Sequence, residues 1–459
     1  MLWNNVIMRV LTQILAATCA FTIGDALAQT NPTAEHLSFC QEAQAADRAG
    51  GYVVPGRSGW LFYGDEFRRE FVTNIERFTL QIAELSQKFK AEGVNLILVP
   101  LATRPIIQSD KLDSSIPVEK AFDYLTQRKL FLKMLSEFKS EKVNVVDLLT
   151  PLLSDAGSGG ENLHFKSDQH WTPEGARIAS KFIADEVRNL SDVSQLTKGV
   201  YKTNLIDSIE YVGEYQYFIT DACKENTTYG YNLDRADAIG DILNKYSTTN
   251  TQESLLDDTS NQIVLAGDSH SKADYNLAGF LEDQLQSNVL NVSVTGGGSN
   301  AALMGYLLSD AYLKEKPKFI IWEFAINVFN PDRISFREIS ASIKPPCQSN
   351  DAILTKTTNL QTGSTAPQTI LSVGSGQEFN PRNTRLIITT TNPVIDKLNL
   401  NINYANGETE NVILNHFRVT SPIFTFDFSP KINSTIKNIS LVPLTSSTAT
   451  IETRVCSGS

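Results

Sequence analysis

The stretch that decides the fold reads IVLAGDSHS and spans residues Ile263–Ser271. Its first four residues are a short apolar run typical of a buried strand, and a helical pattern follows. The Gly267-Asp268-Ser269 turn between them would present a serine at the end of the strand. A serine hydroxyl becomes a nucleophile when a base takes its proton, and the N–H groups of such a turn suit a developing oxyanion. A serine that only caps the next helix would give the same pattern, so the stretch needs a partner elsewhere.

The candidate partner is Ser167–Pro173, which reads SDQHWTP. It contains a histidine, His170, with a carboxylate two residues before it, Asp168. A Ser-His-Asp set is recognised by roles and geometry and not by chain order, so this segment can supply the base. Asp168 would orient the imidazole if the loop bends locally. His164 is the second candidate, whereas His270 is a poor one because neighbours in sequence usually point apart. A polar loop preceding a helix is the alternative for this segment.

The glycine-rich segment and one acidic residue complete the candidate site. Gly296–Gly298 and Asn300 follow a predicted strand, and Glu323 lies near the end of another. Carboxyl ends of parallel strands meet at one edge of a sheet, and glycines let a backbone approach a ligand closely. We therefore expect Gly297, Gly298, Asn300 and Glu323 to contact the substrate or the oxyanion. A plain turn and a structural acceptor are the alternatives.

Strands alternate with helices over most of the chain, which predicts an α/β fold with a doubly wound, mostly parallel sheet in residues 29–346. The predicted strands are Val94–Val99, Val143–Leu148, Ile263–Ala266, Val289–Val294 and Phe319–Phe324. The predicted helices are Phe67–Ala91, Ala121–Ser140, Thr172–Leu190, Ala273–Leu285 and Asn300–Leu313. Residues 191–260 carry no clear pattern.

The pattern changes after Cys347. Leu398, Leu400, Ile402 and Tyr404 alternate with polar residues, and Asn406-Gly407 is a strong hairpin signal. Residues 347–459 are therefore predicted to form a separate C-terminal β-sandwich domain.

The N-terminus predicts export. Arg9 precedes the apolar stretch Val10–Ile23, and Ala26-Leu27-Ala28 matches a small-x-small cleavage site. We expect a signal peptide over residues 1–28, cleaved near Ala28, with a membrane anchor as the alternative. No later run approaches the ~20 apolar residues that a spanning helix needs.

The cysteine and charge content indicates the compartment of the protein and the classes of partner and cofactor to expect. Four cysteines remain after cleavage, an even number that favours disulfides in an oxidising compartment. We favour Cys40–Cys223 and Cys347–Cys456 among the three possible pairings, because each bridge then staples one region. No CxxC spacing occurs, so we expect no metal site. The net charge of -11 argues against a nucleic-acid partner, and no dinucleotide or Walker motif suggests a cofactor.

The ordered motifs resemble a known family. They are Gly59-Trp60-Leu61-Phe62, Asp168-x-His170-Trp171-Thr172, Gly267-Asp268-Ser269-x-Ser271, Gly296–Gly298 and Trp322-Glu323. This set is similar to the SGNH-hydrolase-like periplasmic alginate O-acetyltransferases of the AlgX/AlgJ type. The resemblance implies Ser269 as nucleophile, His170 as base and Asp168 as its orienter, in an order permuted from that of ordinary SGNH hydrolases.

The resemblance also implies acetyl transfer to an exopolysaccharide in the periplasm, with alginate favoured, and a carbohydrate-binding role for the C-terminal domain. Its partners would be a membrane protein that delivers acetyl equivalents and other polysaccharide secretion proteins. A carbohydrate esterase or deacetylase, and a non-catalytic polysaccharide-binding scaffold, are the alternatives. The chain departs from the family at His270, where an aromatic residue is usual. Its C-terminal domain lacks Trp, which leaves Tyr404, His416, Phe417, Arg418 and Phe424 as possible sugar contacts.

Overall fold

A computed structural model describes most of the chain beyond the N-terminal region. The described residues are 53–67, 75–157, 163–215, 240–251, 262–327, 336–360, 366–391, 395–419, 421–442 and 449–458. The predicted signal peptide, Cys40 and Cys223 lie outside them. Within these ranges, no helix combines the length and apolar character required to cross a membrane.

Strands and helices alternate through the larger part of the described chain. The strands are β1 (Val53–Pro55), β2 (Leu61–Tyr63), β3 (Asn95–Leu101), β4 (Asn144–Val145), β5 (Tyr201–Tyr211), β6 (Asp241–Asn250), β7 (Ile263–Ala266), β8 (Val289–Asn291) and β9 (Phe319–Ala325). The helices are α1 (Ile75–Ala91), α2 (Arg104–Ile107), α3 (Pro117–Ala121), α4 (Tyr124–Ser140), α5 (Leu149–Gly157), α6 (Pro173–Arg188), α7 (Leu277–Leu285), α8 (Ala301–Leu307), α9 (Asp310–Lys314) and α10 (Phe336–Ser342).

The central sheet is parallel, as predicted. Its described strands follow the order β4-β3-β9-β7-β8. Every residue of β3, β7 and β9 is buried, which fits strands covered on both faces. Because these three strands are neighbours and parallel, their carboxyl ends meet at one edge, where the segments after Leu101, Ala266 and Ala325 begin.

Two predicted helices are interrupted. The helix expected over Ala273–Leu285 begins as a 3-10 turn and restarts at Leu277, because Asn276 adopts a left-handed conformation with φ of 56°. The stretch expected over Asn300–Leu313 divides into α8 and α9, and the Ser309 side chain accepts the N–H of Tyr312 to cap the second piece. Local hydrogen bonds from polar side chains compete with a continuous helix at such positions.

The predicted start of α6 is confirmed. The Thr172 hydroxyl accepts the N–H of Gly175 at 3.2 Å, and Pro173 occupies the first helical position. This cap ends the loop that carries the candidate base, so the helix fixes one side of that loop.

A two-stranded antiparallel ribbon occupies part of the region that carried no clear sequence pattern. It consists of β5 and β6, and it packs against α6 and α7. The hydroxyl of Tyr246 hydrogen-bonds Glu174 at the start of α6. Tyr211, at the end of the ribbon where β5 finishes, reaches the loop that holds Asp168.

The C-terminal region contains two four-stranded antiparallel sheets in its described part. The strands are β10 (Leu354–Leu360), β11 (Gln368–Ser372), β12 (Thr384–Thr390), β13 (Lys397–Tyr404), β14 (Thr409–Asn415), β15 (Ile423–Asp427), β16 (Ile436–Val442) and β17 (Ala449–Ser457). The orders are β10-β17-β12-β15 and β11-β16-β13-β14. Leu398, Leu400, Ile402 and Tyr404 are all buried, as their alternation predicts, and they join a hydrophobic core distinct from that of the parallel sheet.

A disulfide joins Cys347 to Cys456, with Cα atoms 6.0 Å apart, which is one of the two pairings expected from the sequence. The β-region also contacts the α/β region directly. Arg385 donates to the carbonyl oxygens of Ala341, Lys344 and Pro345. These bonds anchor the segment between the two hydrophobic cores to strand β12.

Candidate active site

Ser269 lies at the carboxyl edge of the parallel sheet, on a 3-10 turn that follows β7. The turn is tight: a Cβ added at Gly267 would stand 2.3 Å from Ser271 Oγ and 2.5 Å from Glu323 Oε2. Only glycine therefore fits at this position. Ser269 itself is half-buried, whereas the residues on either side of it, Asp268 and His270, are buried.

The three side chains expected to form the site are hydrogen-bonded in sequence. Ser269 Oγ lies 2.6 Å from His170 Nε2, and His170 Nδ1 lies 2.5 Å from Asp168 Oδ1. The same Asp168 oxygen accepts the His170 backbone N–H at 3.1 Å, which is the local bend that the sequence required. The geometry therefore has the nucleophile–base–orienter arrangement of a Ser-His-Asp triad.

Asp168 is held as an anion. Burial raises the pKa of its carboxyl, but the interactions with His170, together with the hydrogen bonds from Tyr211 and Glu214, outweigh burial and hold that pKa well below its ordinary value. Its second oxygen, Oδ2, accepts the Tyr211 hydroxyl at 2.7 Å and the Glu214 N–H at 3.1 Å. Neither Tyr211 nor Glu214 could be predicted from the sequence, because the ribbon that brings them to the loop has no recognisable sequence pattern.

His170 is held as a neutral imidazole. Burial lowers its pKa, and this effect exceeds the opposing interaction with Asp168. With Nδ1–H donating to Asp168, the Nε2 atom is left as the acceptor for the Ser269 hydroxyl proton. This is the protonation state that a general base needs at rest.

A second buried Asp–His pair lies directly beside the first. Asp268 Oδ1 accepts the His270 N–H at 2.8 Å and lies 2.9 Å from His270 Nδ1. Burial lowers the pKa of His270, but the Asp268 carboxylate outweighs burial and raises it to about 9. The Trp171 indole donates to the His270 carbonyl at 2.8 Å, which ties the nucleophile turn to the base loop.

Glu323 supports the turn from below and does not face the solvent. It is fully buried, and its Oε2 accepts Asp268 N–H at 3.1 Å and Ser271 Oγ–H at 2.7 Å. Burial, assisted by the Asp268 charge, raises the pKa of Glu323 to about 8. Of the two roles considered for Glu323, the contacts are those of a structural acceptor.

Metal coordination is the other use to which this cluster could be put. Potential ligand atoms of Asp268, His270 and Glu323 lie within 4.8 Å of one another. Asp268 and His270 already pair with each other, and Asp268 Oδ2 accepts the Ala325 N–H at 3.1 Å. These contacts describe a protein ion pair and not a coordination shell.

The predicted role of the glycine-rich loop stays a prediction, and the backbone geometry narrows which of its residues could fill it. The Gly297 N–H donates to Val294 O at 2.9 Å within its own turn, so it is engaged there. Gly298 adopts a φ of 64°, and Asn300 is partly exposed at the start of α8. A contribution of this loop to the oxyanion or substrate therefore rests on Gly298 and Asn300.

The possible sugar contacts of the β-region separate into two groups. Tyr404, His416 and Phe424 are at most 2% exposed, so they belong to the core and cannot serve as sugar platforms. Phe417 is 57% exposed, and the Arg418 guanidinium lies 5.5 Å from its ring. Arg418 also donates to Thr295 O at 2.9 Å, which places this pair beside the glycine-rich loop.

His164, the second candidate base, is buried in a cavity lined also by Thr103, Gln169, Trp171 and His270. Burial keeps its pKa well below the ordinary value. The Ser269 hydroxyl donates to His170, so the structure favours the first candidate.

A serine on the turn after a parallel strand, served by an Asp–His pair on a separate loop, defines an SGNH-hydrolase-like α/β protein. Residues 53–326, more than half of the chain, match the family described as "SGNH hydrolase-like domain, acetyltransferase AlgX". The chain belongs to this family, and the resemblance found in its motifs is confirmed.

Individual relatives agree with this assignment. The alginate biosynthesis protein AlgX of Pseudomonas putida KT2440 is 28% identical over 414 residues, which cover 87% of this chain and 84% of that protein. The probable alginate O-acetylase AlgJ of Pseudomonas fluorescens is 26% identical over 288 residues, covering 59% and 67%. A solved structure of Pseudomonas aeruginosa AlgX matches 92% of this chain and 100% of its own, with a TM-score of 0.76 at 21% identity, and so shares the fold.

Proposed function

We propose that this protein transfers acetyl groups to hydroxyls of an exopolysaccharide, with alginate favoured, through an acetyl ester on Ser269. The observation that carries the proposal is the continuous hydrogen-bonded order Asp168–His170–Ser269. Family membership supports acyl chemistry at this site, and the names of the AlgX and AlgJ relatives support alginate.

The first half-reaction forms the acyl-enzyme. His170 Nε2 takes the hydroxyl proton as Ser269 Oγ attacks the acyl carbonyl carbon of the donor. The imidazolium that forms is stabilised by Asp168. We assign the oxyanion to the Ser269 N–H, because the neighbouring N–H groups of Asp268 and His270 already donate to Glu323 and Asp268. The tetrahedral intermediate then expels the donor's leaving group, which receives the proton from His170.

The second half-reaction reverses these roles. A sugar hydroxyl gives its proton to His170 Nε2 while its oxygen attacks the acetyl carbon. Ser269 Oγ then leaves and recovers the proton, which restores the resting enzyme. Transfer to sugar instead of water needs a polymer held beside Ser269. We assign that contact to Phe417 and Arg418, since a flat exposed ring suits a sugar face and a guanidinium suits a carboxylate.

The cellular setting follows from the same proposal. The predicted signal peptide and the Cys347–Cys456 disulfide support an oxidising compartment, for which we propose the periplasm. A membrane protein that delivers acetyl equivalents would supply the donor there, and other polysaccharide secretion proteins would present the acceptor polymer.

Mass spectrometry tests the proposal directly. The protein is incubated with a chromogenic acetyl ester, alone and with mannuronate oligosaccharides, and the masses of both protein and sugar are measured. We expect one acetyl group on the peptide containing Ser269 and then acetyl on the sugar. Ser269→Ala should abolish both, and His170→Asn should slow acylation by at least 10²-fold on the scale of a lost general base. His164→Asn is the matched control and should acylate normally.

The outcomes separate the alternatives. An acetyl-enzyme that releases acetate and never acetylates sugar would identify an esterase. Polymer binding without any acetyl-enzyme would identify a scaffold. Normal acetylation by Ser269→Ala would refute the assignment of the nucleophile.

A further inference from the structure

The chain contains two Asp-x-His units with the same local contacts. In each unit the aspartate Oδ1 accepts the histidine backbone N–H and lies beside Nδ1: 3.1 and 2.5 Å for Asp168 and His170, 2.8 and 2.9 Å for Asp268 and His270. Only the first unit reaches the Ser269 hydroxyl. The second unit therefore repeats the orienter–imidazole geometry without contacting the nucleophile.

The two units face each other. The rings of His170 and His270 are 4.7 Å apart between centroids and tilted by 58°, and both residues are buried. At this separation a charge on one ring acts strongly on the other, because buried charges are screened less than exposed ones. The ionisable groups around the pair are Asp168, Tyr211, Glu214 and Tyr275 on the His170 side, and Asp268, Glu323, His164 and Arg104 on the His270 side.

We propose that His270 is a positioning residue that acts as a fixed imidazolium: by facing His170 across 4.7 Å, it keeps that base unprotonated and extends acyl transfer to lower pH. The inference rests on the proposed role of His170 as the base for Ser269. It assigns a specific function to a histidine that does not contact the Ser269 hydroxyl.

The charges agree with this arrangement. Asp268 holds the positive charge on His270, and its own pKa is lowered to about 2 because His270 outweighs the effect of burial. The positive charge of His270 in turn contributes to the lowering of the His170 pKa, after burial. A neutral residue at position 270 removes this repulsion, so the pKa of His170 should rise.

The experiment compares the pH dependence of kcat/KM for acetyl-ester turnover in His270→Asn and His270→Phe. Asn keeps a side-chain N–H where Nδ1 meets Asp268, and Phe keeps the ring without the charge. Thermal unfolding is measured first to establish that each variant folds. We expect the acid limb of the profile to move to higher pH by about one unit in both variants. His164→Asn is the matched control, since that buried histidine is already uncharged, and its acid limb should coincide with that of the wild type.

A second measurement does not depend on activity. Histidine-labelled protein is titrated by NMR, and the His170 resonance, assigned by its loss in His170→Asn, should titrate about one unit higher in His270→Asn. An unmoved acid limb together with an unmoved His170 titration would overturn the inference. If the His170 titration moves in His270→Asn but turnover survives in Ser269→Ala, the electrostatic coupling is upheld and the proposed function is refuted.

Discussion

Replacing Asp168 by Asn is the most informative single perturbation of the candidate site. The carboxylate accepts four hydrogen bonds, two at Oδ1 from His170 and two at Oδ2 from Tyr211 and Glu214. An amide has one oxygen. If that oxygen faces His170, the amide NH2 meets the Glu214 N–H, and two donors oppose each other. The Tyr211 hydroxyl can rotate and accept, so one buried donor is left without an acceptor.

The cost to catalysis follows from the charge on His170. In the transition state the imidazolium stands 2.5 Å from Asp168 Oδ1. Two unit charges at such a separation attract by roughly 6–7 kcal/mol at an effective dielectric constant of about 20. A neutral amide oxygen retains part of this attraction as an ordinary hydrogen bond. We therefore expect a loss of roughly 3–5 kcal/mol, which is on the order of 10²–10⁴-fold in kcat/KM.

The assay is turnover of a chromogenic acetyl ester at pH 7, after a thermal unfolding measurement. The lowered pKa of Asp168 means that its charge stabilises the fold at neutral pH and that this contribution fades as the pH falls through that pKa. Some loss of stability is thus expected. Asp241→Asn is the matched control, because Asp241 is a buried acceptor for Lys166 and Ser167 in the same loop but does not touch His170. A turnover within threefold of wild type in Asp168→Asn, at full folding, would refute the reasoning.

Three further predictions concern stability and polymer binding. The raised pKa of Glu323 gives a stability contribution that is complete at acid pH and is lost as the pH rises through about 8. Glu323→Gln should therefore reduce the difference in Tm between pH 5 and pH 9. An unchanged difference in Tm would contradict a protonated Glu323 at neutral pH. Phe417→Ala should lower acetyl transfer to polymer several-fold while leaving small-ester turnover intact, and a parallel loss of both would argue against a sugar contact. Replacing Cys347 and Cys456 by Ala opens a link across 109 residues and should cost ~2–5 kcal/mol in denaturant unfolding; a stability equal to wild type would show that the bridge is dispensable.

Local sequence predicted those parts of the site whose conformation is local. The turn after β7 needs a glycine at 267, and Thr172-Pro173 is both a recognisable and an observed helix start. The bend that joins Asp168 to His170 is a contact across two residues, which a side-chain acceptor can form without distant help.

The long-range contacts of the candidate site could not be predicted from the sequence. Tyr211 reaches Asp168 from an antiparallel ribbon whose strands have mixed exposure, so neither strand shows a period of two. The sequence contains a second Asp-x-His, formed by Asp268 and His270. The expectation that neighbouring side chains point apart considered His270 only against Ser269 and so did not predict its pairing with Asp268. The position of Glu323 near the end of a strand predicts a side chain at the carboxyl edge of the sheet. Every residue of that strand is buried, so the side chain has no exposed direction.

The attachment of Asp168 to the ribbon also affects how the protein becomes active. The hydrogen bond from Tyr211 to Asp168 joins positions 43 residues apart in the chain. The hydrogen bond between Ser269 and His170 joins positions 99 residues apart. Contacts between such distant positions form late in folding, because the intervening chain must first be ordered. If the proposed function holds, turnover should recover after helix content during refolding, and ester turnover would then report the final assembly step.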